Sequence, residues 1–178
     1  MLDIAVIGAG RIGQIHARNI AAHAGARLVG IADPDSAAAA RLAEACASQV
    51  ITLDAAFAAS AVLIASPTPT HAGFIERAAA AGRAVFCEKP IDLDAARARA
   101  CIEVAERAGI PLMVGFNRRF DPNFATLKAA LNEGAIGAVE VLAITSRDPS
   151  PPSPSYVAAS GGLFRDMAIH DLDMARFL

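Results

Sequence analysis

The sequence predicts an α/β fold: a doubly wound parallel sheet followed by the start of a second, α+β unit. Three observations carry that reading. Short β-type runs alternate with alanine-rich helical stretches through the first two thirds of the chain. A glycine-rich turn joins the first of those runs to the first helix. After "GFNRRFDP" the alternation stops, and a helix, a strand, a proline and serine cluster and a closing helix take its place.

Taken in order, "LDIAVIG", "ARLVGIAD", "QVIT", "AVLIAS", "RAVFCE" and "PLMVGF" read as strands. Between them "RIGQIHARNIAAH", "PDSAAAARLAEACA", "DAAFAA", "HAGFIERAAAAG" and "LDAARARACIEVAERAG" have helical length or periodicity. Leu42, Ile75, Ile102 and Val104 punctuate the alanine runs at positions that give a helix a buried face, so the runs are ordinary helices rather than low-complexity tracts. Gly82 and Gly109 stand where helix C-terminal glycines belong, and Asp92 stands where an N-cap belongs. In the second unit "NFATLKAALNEGAIG" reads as a helix and "AVEVLAITSRD" as a strand. The cluster "PSPPSPS", residues 149–155, reads as an exposed connection, either a flap or a spacer. The expected division is residues 1–118 for the first domain and 119–178 for part of a second.

With 178 residues, 54% of them hydrophobic, the chain has ample material for a core. A net charge of −2 and a pI near 6.1 give no electrostatic reason to expect nucleic acid or an anionic membrane surface, so a small molecule is the expected partner. No apolar run is long enough to span a bilayer, and Asp3 stands where a signal peptide has basic residues, so the expected location is the cytoplasm. Cys46, Cys87 and Cys101 are odd in number and lack metal-ligand spacing; they read as buried free thiols, with no metal expected. Lys89 and Lys128 are the only lysines beside 14 arginines, which suggests a position where arginine cannot substitute.

"VIGAGRIG" sets Gly8, Gly10 and Gly13 in a GxGxxG pattern between a strand and a helix that opens with Arg11 and Ile12. Gly8 permits the turn, Gly10 lets backbone approach a pyrophosphate, and Gly13 lets the helix pack closely on the sheet. Glycine triplets alone are common; the context is what makes this a Rossmann-type dinucleotide site. Asp33 ends the second strand twenty positions after Gly13, where an acid hydrogen-bonds ribose hydroxyls, although Asp33 before Pro34 also reads as a helix cap. A carboxylate there repels a 2′-phosphate, so NAD is expected in preference to NADP. Ser66 and Pro67 leave the fourth run at the same sheet edge, where ligands of doubly wound folds bind. His71, just beyond, either touches the nicotinamide end or simply begins a helix. "FCEKPI" brings Glu88 and Lys89 to that edge too, with Pro90 biasing Lys89 toward an extended backbone. In the closing helix Asp166, His170 and Asp173 stand at i, i+4 and i+7, one narrow stripe. Without further context that stripe reads as a solvated polar face opposite Leu163, Met167 and Phe177.

"GAGRIG", "EKP", "GFNRRFDP" and "SGGLFRDMAIHDLDMARFL", in this order and spacing, resemble the Gfo/Idh/MocA family of nucleotide-dependent sugar and polyol oxidoreductases. The last stretch and "TSRDP" most resemble its inositol 2-dehydrogenase branch, and the resemblance covers essentially the whole chain. It implies that Lys89, Asp166 and His170 form the catalytic group, that Gly8, Gly10, Arg11, Ile12, Gly13, Asp33, Ser66, Pro67, His71, Glu88 and Lys89 line the cofactor, and that Arg118 and Asp173 join Lys89, Asp166 and His170 around the polyol. The implied reaction oxidises a ring CH–OH, with His170 removing the hydroxyl proton as the hydride passes to C4 of NAD.

Relatives of this kind continue into a larger sheet that completes the second domain, walls the substrate pocket and mediates oligomer contacts. The resemblance therefore implies that the remainder of that domain is absent here, the chain being a fragment or a truncated product of a homo-oligomeric parent. Two function classes follow: an NAD-dependent dehydrogenase acting on myo-inositol or another sugar or polyol, and a dinucleotide-binding module without turnover.

Overall fold

A computed structural model describes residues 1–147, 150–152, 154, 157 and 160–178. Within them the chain divides into two compact units, Met1–Gly115 and Phe116–Leu178.

In the first unit β1 (Leu2–Ile7), α1 (Arg11–Ala22), β2 (Ala26–Ala32), α2 (Ser36–Ala45), α3 (Leu53–Ala56), β3 (Ala61–Ile64), α4 (His71–Ala80), β4 (Ala84–Cys87), α5 (Ala95–Ala108) and β5 (Leu112–Val114) follow one another. All pairings are parallel and the sheet order is β2-β1-β3-β4-β5. The chain runs outward from β1 to β2, then returns to β1's other side for β3. That reversal leaves a crevice at the carboxyl ends of β1 and β3.

Alternation along each strand feeds two cores. Ala5 and Ile7 of β1 and Val62 and Ile64 of β3 face α4 and α5, packing on Ala72, Ile75, Ala78, Cys101 and Ala105. Val6 and Leu63, one residue over, face α1 and α2 and pack on Ala17, Ile20, Ala39 and Leu42. Both faces are covered, so β3, β4 and β5 are apolar at every position rather than at every second one, while Asp3 of β1 and Arg27 of β2 pair with each other near the strands' amino ends. Alanine recurs on the inner helix faces because a small side chain lets a helix lie close to the sheet. Ile75, fully buried, contributes roughly 2–3 kcal/mol by burial alone.

Several expected elements come out differently. "QVIT" forms only a single parallel bridge, Ile31 to Val50, because Thr52 ends the run by capping α3: its Oγ1 accepts from the Ala55 N–H. α5 is capped by Asp94, whose carboxylate accepts from the Ala96 and Arg97 N–H groups; Asp92, expected as the cap, instead accepts from the Asp94 N–H. Cys101 and Ala105 are the buried residues of α5, and Ile102 is exposed. Gly82 and Gly109 follow helix ends, as expected.

The second unit holds a 3-10 turn (Asn117–Phe120), α6 (Pro122–Asn132), a π-helical turn (Phe164–Ala168) and α7 (Ile169–Phe177). Asp121 caps α6 through the Asn123 N–H, and the helix stops short of Gly134, which has φ +72°. The strand expected over residues 138–148 is not formed among its described residues, 138–147. Among the described residues no neighbouring strand offers them a ladder, and Val139, Val141, Leu142 and Ile144 are exposed. Of the proline and serine cluster, Ser150, Pro151, Pro152 and Pro154 are exposed, while residues 149, 153 and 155 lie outside the described residues, as does Asp148. No helix among the described residues is long and apolar enough to cross a membrane.

Candidate functional site

The carboxyl edge of the sheet gathers the cofactor candidates of the first unit. Gly8 has φ +109°, and a Cβ there would lie 2.6 Å from the Ala65 carbonyl oxygen. A Cβ on Gly13 would lie 1.9 Å from the Gly8 carbonyl oxygen, so α1 rests directly on the turn. Gly10 is different: a Cβ there meets nothing within 4 Å, so the protein does not itself fill the space above it.

The N-terminus of α1 faces that space uncompensated. Asp35, Asp94 and Asp121 cap α2, α5 and α6, but Gly10 gives α1 no side-chain cap, and no acid stands in its first turn. A cap is worth about 1 kcal/mol, and its omission leaves amide donors and the positive end of the helix dipole for an anion. The residues present therefore suit a dinucleotide pyrophosphate.

Asp33 follows β2 and braces the same turn. Its Oδ2 accepts from the Ala9 N–H at 2.6 Å and its Oδ1 from the Asp35 N–H at 2.8 Å. The helix-cap reading of Asp33 belongs to Asp35 instead, whose Oδ1 accepts from the Ala38 N–H. Each Asp33 oxygen keeps a lone pair, enough for two ribose hydroxyls.

After β3, the Thr70 hydroxyl donates to the Pro67 carbonyl at 2.7 Å, so the Ser66 hydroxyl, 2.6 Å from Thr70 Oγ1, must be the donor of that pair. Toward a ligand Ser66 is left as an acceptor. His71 opens α4 and is 2% exposed; its Nδ1 lies 2.7 Å from the Pro90 carbonyl and its Nε2 2.7 Å from that of Ser66. Its ring nitrogens thus join the two loops of the edge to each other.

β4 delivers Glu88 and Lys89 to the edge. The Glu88 N–H continues the ladder to the Ile64 carbonyl at 2.9 Å, and its carboxylate lies 2.7 Å from His16 Nε2 of α1. His16 was not foreseen. Its trace in the sequence is faint: a histidine three residues past Gly13, on a helix face the alanine pattern leaves half-buried.

In the second unit the closing segment carries Asp166, His170 and Asp173, but not as one even stripe. Asp166 lies in the π-helical turn, where the wider i→i+5 winding shifts it relative to the α-helical residues that follow. Nor is the stripe the solvated face: Leu172 is 61% exposed and Asp173 only 8%. The His170 ring sets its edge against Phe116, with centroids 6.5 Å apart.

Arg119 and Asp173 form a two-bond fork, Nε donating to Oδ2 at 2.8 Å and Nη2 to Oδ1. Arg118 pairs with Asp171 rather than with Asp173, and the Ser146 hydroxyl also donates to Asp171 at 2.6 Å. The hydroxyl and the guanidinium hold the Asp171 carboxyl below the usual carboxylate range. Arg119, which raised no expectation beside Arg118, is thus the partner of the most buried acid among the described residues. Among the described residues no group of three metal-ligating side chains occurs.

The chain matches two family models: the oxidoreductase family of NAD-binding Rossmann fold, GFO/IDH/MocA, over residues 2–116, and a GFO/IDH/MocA C-terminal domain over residues 124–178. It is 56% identical to the inositol 2-dehydrogenase of Rhizobium meliloti, over 97% of this chain and 53% of that protein. A myo-inositol dehydrogenase structure from Corynebacterium glutamicum superposes with a TM-score of 0.93 at 51% identity, covering 99% of this chain and 54% of that one. The scyllo-inositol dehydrogenase of Lactobacillus casei, solved with NAD(H) and scyllo-inositol bound, gives 0.83 at 33% identity, covering 99% and 56%. The chain spans about half the length of the curated relatives it matches. With the glycine turn, Asp33 and the parallel sheet in place, the chain belongs to the GFO/IDH/MocA family of oxidoreductases, whose first domain is an NAD-binding Rossmann fold.

Proposed function

We propose that the protein is an NAD-dependent oxidoreductase that oxidises a ring hydroxyl of a cyclic polyol, with myo-inositol the first candidate. The observation that carries the cofactor half is the uncapped N-terminus of α1 over the open space at Gly10, beside an Asp33 held by two backbone donors. The polyol half rests on the names of the relatives, inositol dehydrogenases among both the sequence and the structural matches. A cytoplasmic location accords with dependence on a nicotinamide pool.

When bound, NAD supplies a nicotinamide carbon that accepts the substrate's C–H electron pair. The protein's part is to bind, orient and move the proton. Gly8, Gly10, Arg11, Ile12 and Gly13 receive the pyrophosphate and Asp33 the adenosine ribose, while Ser66, Pro67, His71 and Glu88 form or brace the wall beyond. The His170 imidazole takes the hydroxyl proton as the C–O bond becomes a carbonyl. Lys89 donates to the same oxygen and stabilises its developing negative charge, and Asp166 sets the orientation of the imidazole. Arg118 and Asp173 contact other hydroxyls through the donors and lone pairs left over by their own ion pairs.

Formation of NADH from NAD with myo-inositol, scyllo-inositol and glucose tests the proposal. Turnover with an inositol, abolished by Lys89→Ala and by His170→Ala while NAD affinity persists, is expected. Turnover with glucose alone would move the substrate to another sugar, and NADH binding without any turnover would limit the chain to a dinucleotide module.

A further inference from the structure

The turn that carries Lys89 is fastened on both sides by histidines, and the one on α1 has no assigned purpose. His16 is half-buried, with its ring edge on Phe86 of β4, centroids 5.1 Å apart. Its Nε2 meets Glu88 Oε1 at 2.7 Å, and the other oxygen of that carboxylate accepts from the Lys89 N–H at 3.3 Å. Room for the carboxylate comes from Gly115 just past β5, where a Cβ would stand 3.0 Å from Glu88 Oε1. On the far side, His71 holds the Pro90 carbonyl. A continuous path of contacts therefore leads from α1, the helix with the uncapped N-terminus at the glycine turn, through His16 and Glu88 to the backbone of Lys89.

We propose that His16 is a positioning residue: it ties Glu88 to α1 and so fixes the backbone of Lys89 in register with the dinucleotide-binding turn. Phe86 alone would orient the ring through packing; the hydrogen bond is what commits the carboxylate, leaving its second oxygen for the Lys89 N–H. A dinucleotide that draws on the N-terminus of α1 then acts on the same helix that holds Lys89 in place. The inference rests on the NAD reading only for this last step, since the tether is made entirely by residues of this chain.

Amide exchange at Lys89, measured by NMR on the whole chain, tests the tether, with the Phe86 amide as an internal reference. His16→Ala should raise Lys89 exchange about tenfold, the scale of losing a hydrogen bond to a charged group. His16→Gln, whose side-chain amide can still donate, should stay within about threefold of the original chain. His16→Leu fills the space against Phe86 without a nitrogen; it should behave like His16→Ala and replaces it if that variant fails to fold. On adding NADH, the Lys89 amide signal should shift in the original chain and in His16→Gln, and shift less in His16→Leu at equal saturation. Lys89 exchange unchanged in His16→Leu, or raised equally in His16→Gln, would overturn the proposal. If NADH fails to bind the original chain, the NAD reading falls, and the ligand-free exchange comparison still decides whether His16 positions Lys89.

Discussion

Gly10→Ala and Gly13→Ala should fail in opposite ways, because the two glycines are required by different objects. At Gly13 the added carbon would stand 1.9 Å from the Gly8 carbonyl oxygen, and both the helix and the turn are backbone with no rotamer to change. α1 has to retreat until ordinary contact is restored, at a cost of about 3 kcal/mol, the upper end of the usual overpacking range. A loss of that size lowers the melting temperature by roughly 10 °C in a chain of this length. At Gly10 the added carbon meets nothing, and φ −68°, ψ −176° is open to any L residue. Glycine's small advantage at an N-cap and alanine's lower unfolded-state entropy offset each other, leaving stability within about 0.5 kcal/mol. If a pyrophosphate occupies that space, however, NADH affinity should fall at least tenfold, about 1.4 kcal/mol. Denaturant unfolding and a fluorescence titration with NADH measure the two quantities on the same samples. Gly10→Ala binding NADH as tightly as the original chain would refute the reasoning, and so would Gly10→Ala destabilising as much as Gly13→Ala.

The Asp171 carboxyl is held down by the Ser146 hydroxyl and by Arg118, so its contribution to stability is complete above the unfolded value near 4 and is lost as pH falls through the lower folded value. Asp171→Asn should therefore melt below the original chain at about pH 7, with the gap narrowing as the pH falls below the unfolded value near 4; a gap independent of pH would contradict the assignment. Burial pushes the Cys101 thiol up to about 11 and the Cys87 thiol further, while Cys46 is only half-buried. A disulfide reagent at about pH 8 should modify Cys46 quickly and the other two only on unfolding; three fast thiols would mean the helices over β4 open readily.

What the sequence made legible was local. The glycine turn, Asp33 and the alternation of strands and helices sit in contiguous stretches whose chemistry is decided within a few residues. The sequence reads Asp92 as the cap of α5 whereas Asp94 is the cap, because either acid fits the start of that helix and the choice depends on where the chain leaves the sheet. Contacts between distant residues were invisible. His16 reaches Glu88 across 72 positions and Arg119 reaches Asp173 across 54, and no periodicity encodes either meeting. The apolar alternation at residues 138–144 read as a strand because alternation reports a two-sided environment, but a strand also needs a neighbour to take its backbone hydrogen bonds. The π-helical turn through Asp166 had no sequence signal at all, since five-residue winding leaves the same residue types in the same order.

The account stands most directly on how this chain binds nicotinamide dinucleotides, and calorimetric titration with NADH and NADPH measures that. NADH should bind saturably and NADPH at least about tenfold more weakly, because on the proposed reading the Asp33 carboxylate would receive the adenosine ribose and repel a 2′-phosphate there. Asp33→Asn should narrow that difference. No saturable binding of NADH, or equal affinity for both dinucleotides in the original chain and in Asp33→Asn, would contradict the account.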